Sequence, residues 1–187
     1  GLHIISNLIR RCLRREIEPP KVAIEWLIGY GGIALAIARD LRICDNEIVE
    51  NGVSHLEPVC GVFALVVENV QIDRNRIRDN GPRINDEPAS SAKPGTRGGV
   101  WIWLALVRGV PRAVQEQKLK RFDGVPAALL RDNIIIVPLG RTITLLALGA
   151  VDIARNRLVS QGTTGRDLEV LATNMLVGNF GISNEWT

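Results

Sequence analysis

Few residues in this 187-residue sequence have the types and spacing that catalysis requires. The two histidines, His3 and His55, are far apart in the sequence, and neither belongs to a metal-ligand, phosphate-loop or nucleophile-elbow motif. The three cysteines, Cys12, Cys44 and Cys60, include no Cys-x-x-Cys pair, so they indicate neither a zinc site nor a complete disulfide framework. We therefore expect no metal, no cofactor and no set of catalytic residues. The sequence favours a protein that is not an enzyme, without deciding the question.

The candidate acids for an alternative, enzymatic reading lie in segments with loop composition. Asp86 and Glu87 belong to residues 82–98, a segment with three prolines and two glycines, and Asp123 belongs to residues 111–124. Two carboxyl groups facing one glycosidic bond are the arrangement of a glycoside hydrolase, and clustered carboxylates hold calcium. The alternative is thus a carbohydrate-active enzyme, a polysaccharide lyase or a glycoside hydrolase, with acids carried on loops.

An internal repeat identifies the elements that must position all of these residues. Residues 32–52 align without a gap with residues 61–81, at an offset of 29 residues. The apolar positions, the central asparagines Asn46 and Asn75, and a closing Asn-Gly all coincide. Apolar residues alternate with a period of two in each copy, which predicts strands, and a repeat of this length is typical of a solenoid.

Asparagine recurs within the same apolar frame in further copies of the repeat. The set comprises Asn7, Asn46, Asn75, Asn133, Asn156 and Asn174. Asparagine tolerates left-handed backbone conformations and bonds to nearby main chain, so we place each one at a corner between strands. We expect these side chains, stacked from coil to coil, to form a ladder of amides.

The pattern Ile-x-x-Asn-x-Ile followed by Asn-Gly, with Gly-Ile or Gly-Val opening a strand, resembles the right-handed parallel β-helix of the pectin-lyase-like superfamily and of many phage tailspikes. The resemblance covers most of the chain outside three inserts, residues 10–21, 82–98 and 111–124. It implies one all-β domain, residues 1–187, with about six or seven irregular coils. That superfamily contains lyases, hydrolases, adhesins and structural fibres, so the resemblance does not specify a function. Since the chain begins inside a repeat, we expect it to be a segment of a larger protein or assembly.

Four strands that begin near glycines have an aliphatic face and an opposite face that is also apolar. The expected inward set is Ile33, Leu35, Ile37, Val62, Ala64, Val66, Val100, Ile102, Leu104, Ile143, Leu145 and Ala147. The alternate residues then point outward, because strand side chains alternate between faces. They include Phe63, Leu65, Trp101, Trp103 and Leu146, with no carboxylate among them. A contiguous apolar patch marks an interface, and Trp is a typical interface anchor, so we predict assembly with a second copy or a protein partner through this face.

Two other uses of the same face stay open. In the first, one insert, residues 10–28 with Trp26, folds back over the strands. In the second, the aromatic side chains form a platform for sugars in a noncatalytic, tailspike-like glycan-binding module. A polysaccharide is therefore the alternative partner. An extracellular location, or one on the surface of a particle, is weakly favoured.

Charge and hydropathy exclude two other classes of partner. The formal net charge of +3 is a mild basic excess rather than the signature of a nucleic-acid-binding protein. The longest uncharged stretch, residues 170–184, has 15 residues, whereas a membrane-spanning helix needs about 20. We expect neither nucleic-acid binding nor membrane insertion.

Overall fold

The computed structural model describes residues 1–13, 29–52, 59–81, 96–108, 126–161 and 174–179. Within these ranges the protein is all-β, with thirteen strands and no helix. The strands are β1 (Leu2–Ile5), β2 (Leu8–Arg10), β3 (Tyr30–Cys44), β4 (Glu47–Val49), β5 (Val59–Asp73), β6 (Arg76–Arg78), β7 (Gly98–Leu106), β8 (Ala128–Arg131), β9 (Ile134–Val137), β10 (Arg141–Leu148), β11 (Val151–Ala154), β12 (Arg157–Ser160) and β13 (Met175–Asn179). Most of the three inserts lies outside the described residues, as do Trp26, His55, Asp86, Glu87 and Asp123.

Every strand pairing in the two sheets is parallel. The first sheet runs β1-β3-β5-β7-β10-β13, with β8 joined to β5 and β11 joined to β8, and the second runs β12-β9-β6-β4-β2. Tyr30 is paired with Val59, and Leu41 with Val70, so the 29-residue repeat of the sequence is the register between β3 and β5. The prediction of an all-β protein with stacked parallel strands is confirmed, and the architecture is compatible with a solenoid.

The chain turns its corners at residues with positive φ. Each described ladder asparagine from Asn7 to Asn156 follows such a residue. These preceding residues are Ser6, Asp45, Arg74, Asp132 and Arg155, with φ between 52 and 57°. The left-handed conformation therefore belongs to the residue before the asparagine and not to the asparagine itself. The asparagine side chain is then available for hydrogen bonds to the next pass, where a pass is one copy of the repeat running through the two sheets.

Aliphatic side chains of strands β3 to β10 fill the interior. The largest fully buried ones are Leu41, Ile43, Ile48, Val49, Ile72, Ile77, Ile102, Leu130, Ile135, Ile143 and Leu145. Burying a side chain of this size contributes about 1.5–3 kcal/mol. The core is a stack of branched aliphatic residues because like positions of the repeat lie above one another.

The glycine that opens the long strands permits a close approach to the opposite sheet. A Cβ built on Gly32, Gly61 or Gly99 would lie only 2.2–2.5 Å from the Cγ2 atom of a buried isoleucine. The three isoleucines are Ile48, Ile77 and Ile135. Close packing against the opposite sheet thus explains why Gly-Ile or Gly-Val recurs in the sequence.

The strict alternation of inward and outward residues ends near the middle of β3. Ile37 was expected to point inward, but it is 76% exposed, whereas the next residue, Ala38, is 8% exposed. The expectation was wrong because β3 has an extra residue here relative to a period of two. A register shift occurs at the matching place between β7 and β10, where Leu145 pairs with Ile102 but Ala147 pairs with Ala105. Such irregularities are β-bulges, which redirect side chains.

Candidate functional site

The predicted outward aromatic residues lie on the neighbouring strands β5 and β7. Phe63 is in register with Trp101, and Trp101 with Thr144. The rings of Trp101 and Trp103 have centroids 5.5 Å apart and are tilted by 58°. This geometry is that of a tilted aromatic pair, which adds to the stability of the strand beyond simple burial. We call Phe63, Leu65, Trp101, Trp103, Leu146 and the neighbouring Ile37 the apolar strand face.

One row of the apolar strand face is covered by the chain itself. Phe63 is only 4% exposed, and Thr144 in the same row is equally buried. Gly29 lies against the Phe63 ring, since a Cβ added there would be 2.4 Å from the ring and 2.7 Å from the Thr96 hydroxyl oxygen. Phe63 therefore packs within the molecule. The accessible part of the face comprises Ile37 and the half-buried Leu65, Trp101, Trp103 and Leu146.

Hydrogen bonds join five of the six predicted ladder asparagines. Asn75 Oδ1 accepts hydrogen bonds from the main-chain N and the Nδ2 of Asn46, both at 3.0 Å. Asn133 Oδ1 accepts the same pair from Asn75, also at 3.0 Å. The pattern continues from Asn7 to Asn46 and from Asn133 to Asn156. Each of these hydrogen bonds fixes the register of one pass of the chain relative to the next.

The Nδ2 groups also satisfy main-chain carbonyls at the corner. Asn75 Nδ2 donates to Ile43 O at 2.7 Å, and Asn133 Nδ2 donates to Ile72 O at 2.8 Å. Asn174 differs, because its Nδ2 donates to Leu158 O at 3.1 Å and no hydrogen bond links it to another asparagine of the described chain. The ladder thus extends from Asn7 to Asn156.

The Asn-Gly that closes each repeat forms a second, shorter ladder. Asn80 Oδ1 accepts from the main-chain N of Asn51 at 3.2 Å and from its Nδ2 at 2.8 Å, and Asn51 Oδ1 accepts from Cys12 N at 2.9 Å. Both asparagines are buried. The repeated Asn-Gly was visible in the sequence, but its hydrogen bonding depends on the stacking of passes.

Ion pairs line the solvent side of the first ladder. Arg74 binds Asp45, and Arg155 binds Asp132, each through two hydrogen bonds of 2.7–2.8 Å. The arginine hydrogen bonds hold the pKa of Asp45 and of Asp132 below its ordinary value. Because these pairs are exposed, they contribute little to stability. They keep the corners charged and solvated.

The three cysteines are free thiols with different surroundings. Cys12 is exposed, whereas Cys44 and Cys60 are buried. Burial raises the pKa of the Cys60 thiol to about 12, and its Sγ donates to Thr96 O at 3.3 Å. Burial also raises the pKa of Cys44.

We expect iodoacetamide at pH 8 to alkylate Cys12 alone in the folded protein. The thiolate is the reactive form, and a raised pKa keeps the Cys60 thiol protonated, while burial blocks access to both inner cysteines. Mass spectrometry of peptides counts the modified sites, and denaturation before labelling is the control that exposes all three. Labelling of Cys60 as fast as Cys12 in the native protein would contradict this assignment.

No protein-family model, curated protein or solved structure matches this chain. Among the residues that the structure describes, no group of three His, Cys, Asp or Glu side chains is placed to hold a metal ion. In that same part of the chain, no helix has the length and apolar character to cross a membrane.

Proposed function

We propose that this protein is a noncatalytic structural module, a right-handed parallel β-helix of the pectin-lyase-like kind, which associates with a second copy of itself through the apolar strand face. The observation that carries the proposal is the exposure of Ile37, at 76%, on β3, together with half-buried Trp103 two strands away on β7. A contiguous apolar patch, unlike a single exposed apolar residue, marks an interaction surface.

The helical architecture is supported by the stacking of passes. Strands of the same repeat position are parallel neighbours, as in Glu47 with Arg76 and Ile48 with Ile77. Two asparagine ladders run across these passes. Parallel strands in register with stacked corner amides are the arrangement that the resemblance to β-helix proteins implies.

Self-association is supported by the chemistry of the face. Trp101 and Trp103 provide a rigid aromatic anchor, and the surrounding side chains are aliphatic, with no ionisable group among the residues that define the face. A contact between two copies of one face is self-complementary and closes as a dimer. The charged corners described above lie on a different part of the surface and disfavour further sideways contacts.

Light scattering tests the proposal with three variants. We expect the wild-type chain to have a mass above the 20.5 kDa of one copy, and Ile37→Ser to shift it to the monomer because an apolar contact becomes polar. Trp101→Ser with Trp103→Ser should do the same. Arg76→Ser, an exposed position in the second sheet, is the matched control and should keep the wild-type mass.

The unfolding midpoint of each variant separates dissociation from misfolding. Ile37→Ser should keep the midpoint of the monomer, since an exposed side chain contributes little to the core. A wild-type chain that is monomeric at every accessible concentration would make self-association wrong.

A further inference from the structure

A groove of about 440 Å³ lies at the corner where β3 and β5 turn between their two parts. Its polar lining comprises His3, Asp40, Arg42, Asn69, Gln71 and Arg108. This volume is within the range of pockets that bind small molecules, roughly 300–1,000 Å³. The groove is separate from the apolar strand face, so an inference about it does not depend on the proposed function.

The stacked strands build one wall of the groove. His3, Arg42 and Gln71 are register partners on β1, β3 and β5, so their side chains follow one another at about 4.8 Å, the spacing between paired strands. Asp40 and Asn69 form the corner, both with positive φ, and Asn69 Nδ2 donates to Asp40 Oδ1 at 2.9 Å. A row of polar side chains on rigid strands is thus presented beside a fixed carboxylate.

Two guanidinium groups in the groove have no ion-pair partner within the described chain. The corner arginines Arg74 and Arg155 are each bound by an aspartate of the adjacent pass, whereas no ion pair is formed by Arg42 or Arg108. One carboxylate, that of Asp40, faces these two cations. The hydrogen bond from Asn69, together with the nearby positive charges of Arg108, the Gly1 amino group and Arg42, holds the pKa of Asp40 below its ordinary value, so it stays ionised.

We propose that this groove binds a small monoanionic hydroxy-carboxylate. The ligand carboxylate is bound by Arg42 and Arg108, because guanidinium groups match carboxylates in charge and planar geometry. Asp40 Oδ2, the oxygen not bonded to Asn69, accepts a hydrogen bond from a ligand hydroxyl. The Asp40 carboxylate, which accepts from the ligand hydroxyl, repels a second negative charge beside it, so the groove matches a monoanion better than a phosphate dianion.

Isothermal titration calorimetry with D-gluconate tests this site. We expect saturable binding by the wild-type protein, about tenfold weaker binding by Arg42→Gln, and unchanged binding by Arg76→Gln, an exposed arginine outside the groove that serves as the matched control. Binding that is absent in the wild-type protein, or that falls equally in both variants, would overturn the proposal.

Titrations with acetate and inorganic phosphate, compared with gluconate, test which class of ligand the groove binds. Gluconate should bind more tightly than acetate in the wild-type protein, and Asp40→Asn should remove most of that preference, because it replaces the charged acceptor for the hydroxyl while asparagine still tolerates the positive φ. Tighter binding of phosphate than of gluconate, or an unchanged preference in Asp40→Asn, would reject the hydroxy-carboxylate assignment.

Discussion

Replacing Asn75 with alanine is expected to lower the free energy of unfolding by about 3–4 kcal/mol. The Asn75 side chain is 1% exposed and takes part in five hydrogen bonds. Alanine removes all five and leaves the main-chain N of Asn46 without its hydrogen-bond acceptor. An unsatisfied buried polar group costs about 1–3 kcal/mol, although relaxation and water entry recover part of the sum.

Equilibrium unfolding in urea measures this loss, and Asn7→Ala is the control. Asn7 is exposed and lies at the end of the ladder, where its Nδ2 donates to Asn46 and Ile5 but its Oδ1 accepts no hydrogen bond from another ladder asparagine in the described chain. We expect Asn7→Ala to cost less than about 1 kcal/mol. Equal losses from the two substitutions would show that the ladder does not stabilise the stack through burial. An unchanged slope against urea confirms that both variants unfold from the same compact state.

Gly98→Ala is expected to destabilise the protein by more than about 3 kcal/mol, or to prevent its accumulation in soluble form. Gly98 has φ +147°, and an added Cβ would lie 2.0 Å from the main-chain oxygen of Arg141 on the neighbouring strand β10. A main-chain atom held in a ladder of parallel strands cannot move aside as a flexible side chain does. The pairing of β7 with β10 must open to accept the methyl group.

Gly81→Ala separates this clash from the strain of a positive φ. Gly81 has φ +89°, but the nearest atom to an added Cβ is 3.7 Å away, on Val59. We expect a loss of only about 1–2 kcal/mol, the cost of an unfavourable backbone conformation. Thermal unfolding of both variants provides the comparison. A Gly98→Ala protein as stable as Gly81→Ala would mean that β7 and β10 separate at little cost.

The asparagine ladder could be predicted from the sequence because its residues recur within the repeat. Other features of the structure could not be predicted in this way. Asn75 and Asn133 are 58 residues apart and Asn133 and Asn156 only 23, yet the shared apolar frame identifies all three. The frame works because an aliphatic core demands the same residue types at each pass. The alternation of polar and apolar residues indicates which side of each strand is buried. The positions of the stacked corners follow from that alternation alone.

Features that depend on exact backbone path or on distant residues were not predictable. The exposure of Ile37 arises from an extra residue in a run of apolar side chains, Ala36-Ile37-Ala38, where hydrophobicity does not distinguish inside from outside. Phe63 is buried because Gly29 lies against it. The groove around Asp40 assembles side chains from separate passes, and no local spacing marks them as neighbours.

The first asparagine ladder also has a direction. In each of the four amide-to-amide hydrogen bonds between Asn7 and Asn156, the earlier asparagine donates and the later one accepts, so these amide dipoles point the same way along the stack. Aligned hydrogen bonds polarise one another, and each strengthens those before and after it. In a solenoid, direct contacts join only adjacent repeats. A polarised chain of amides extends coupling beyond adjacent passes, so the stack should melt as one cooperative unit rather than fray pass by pass.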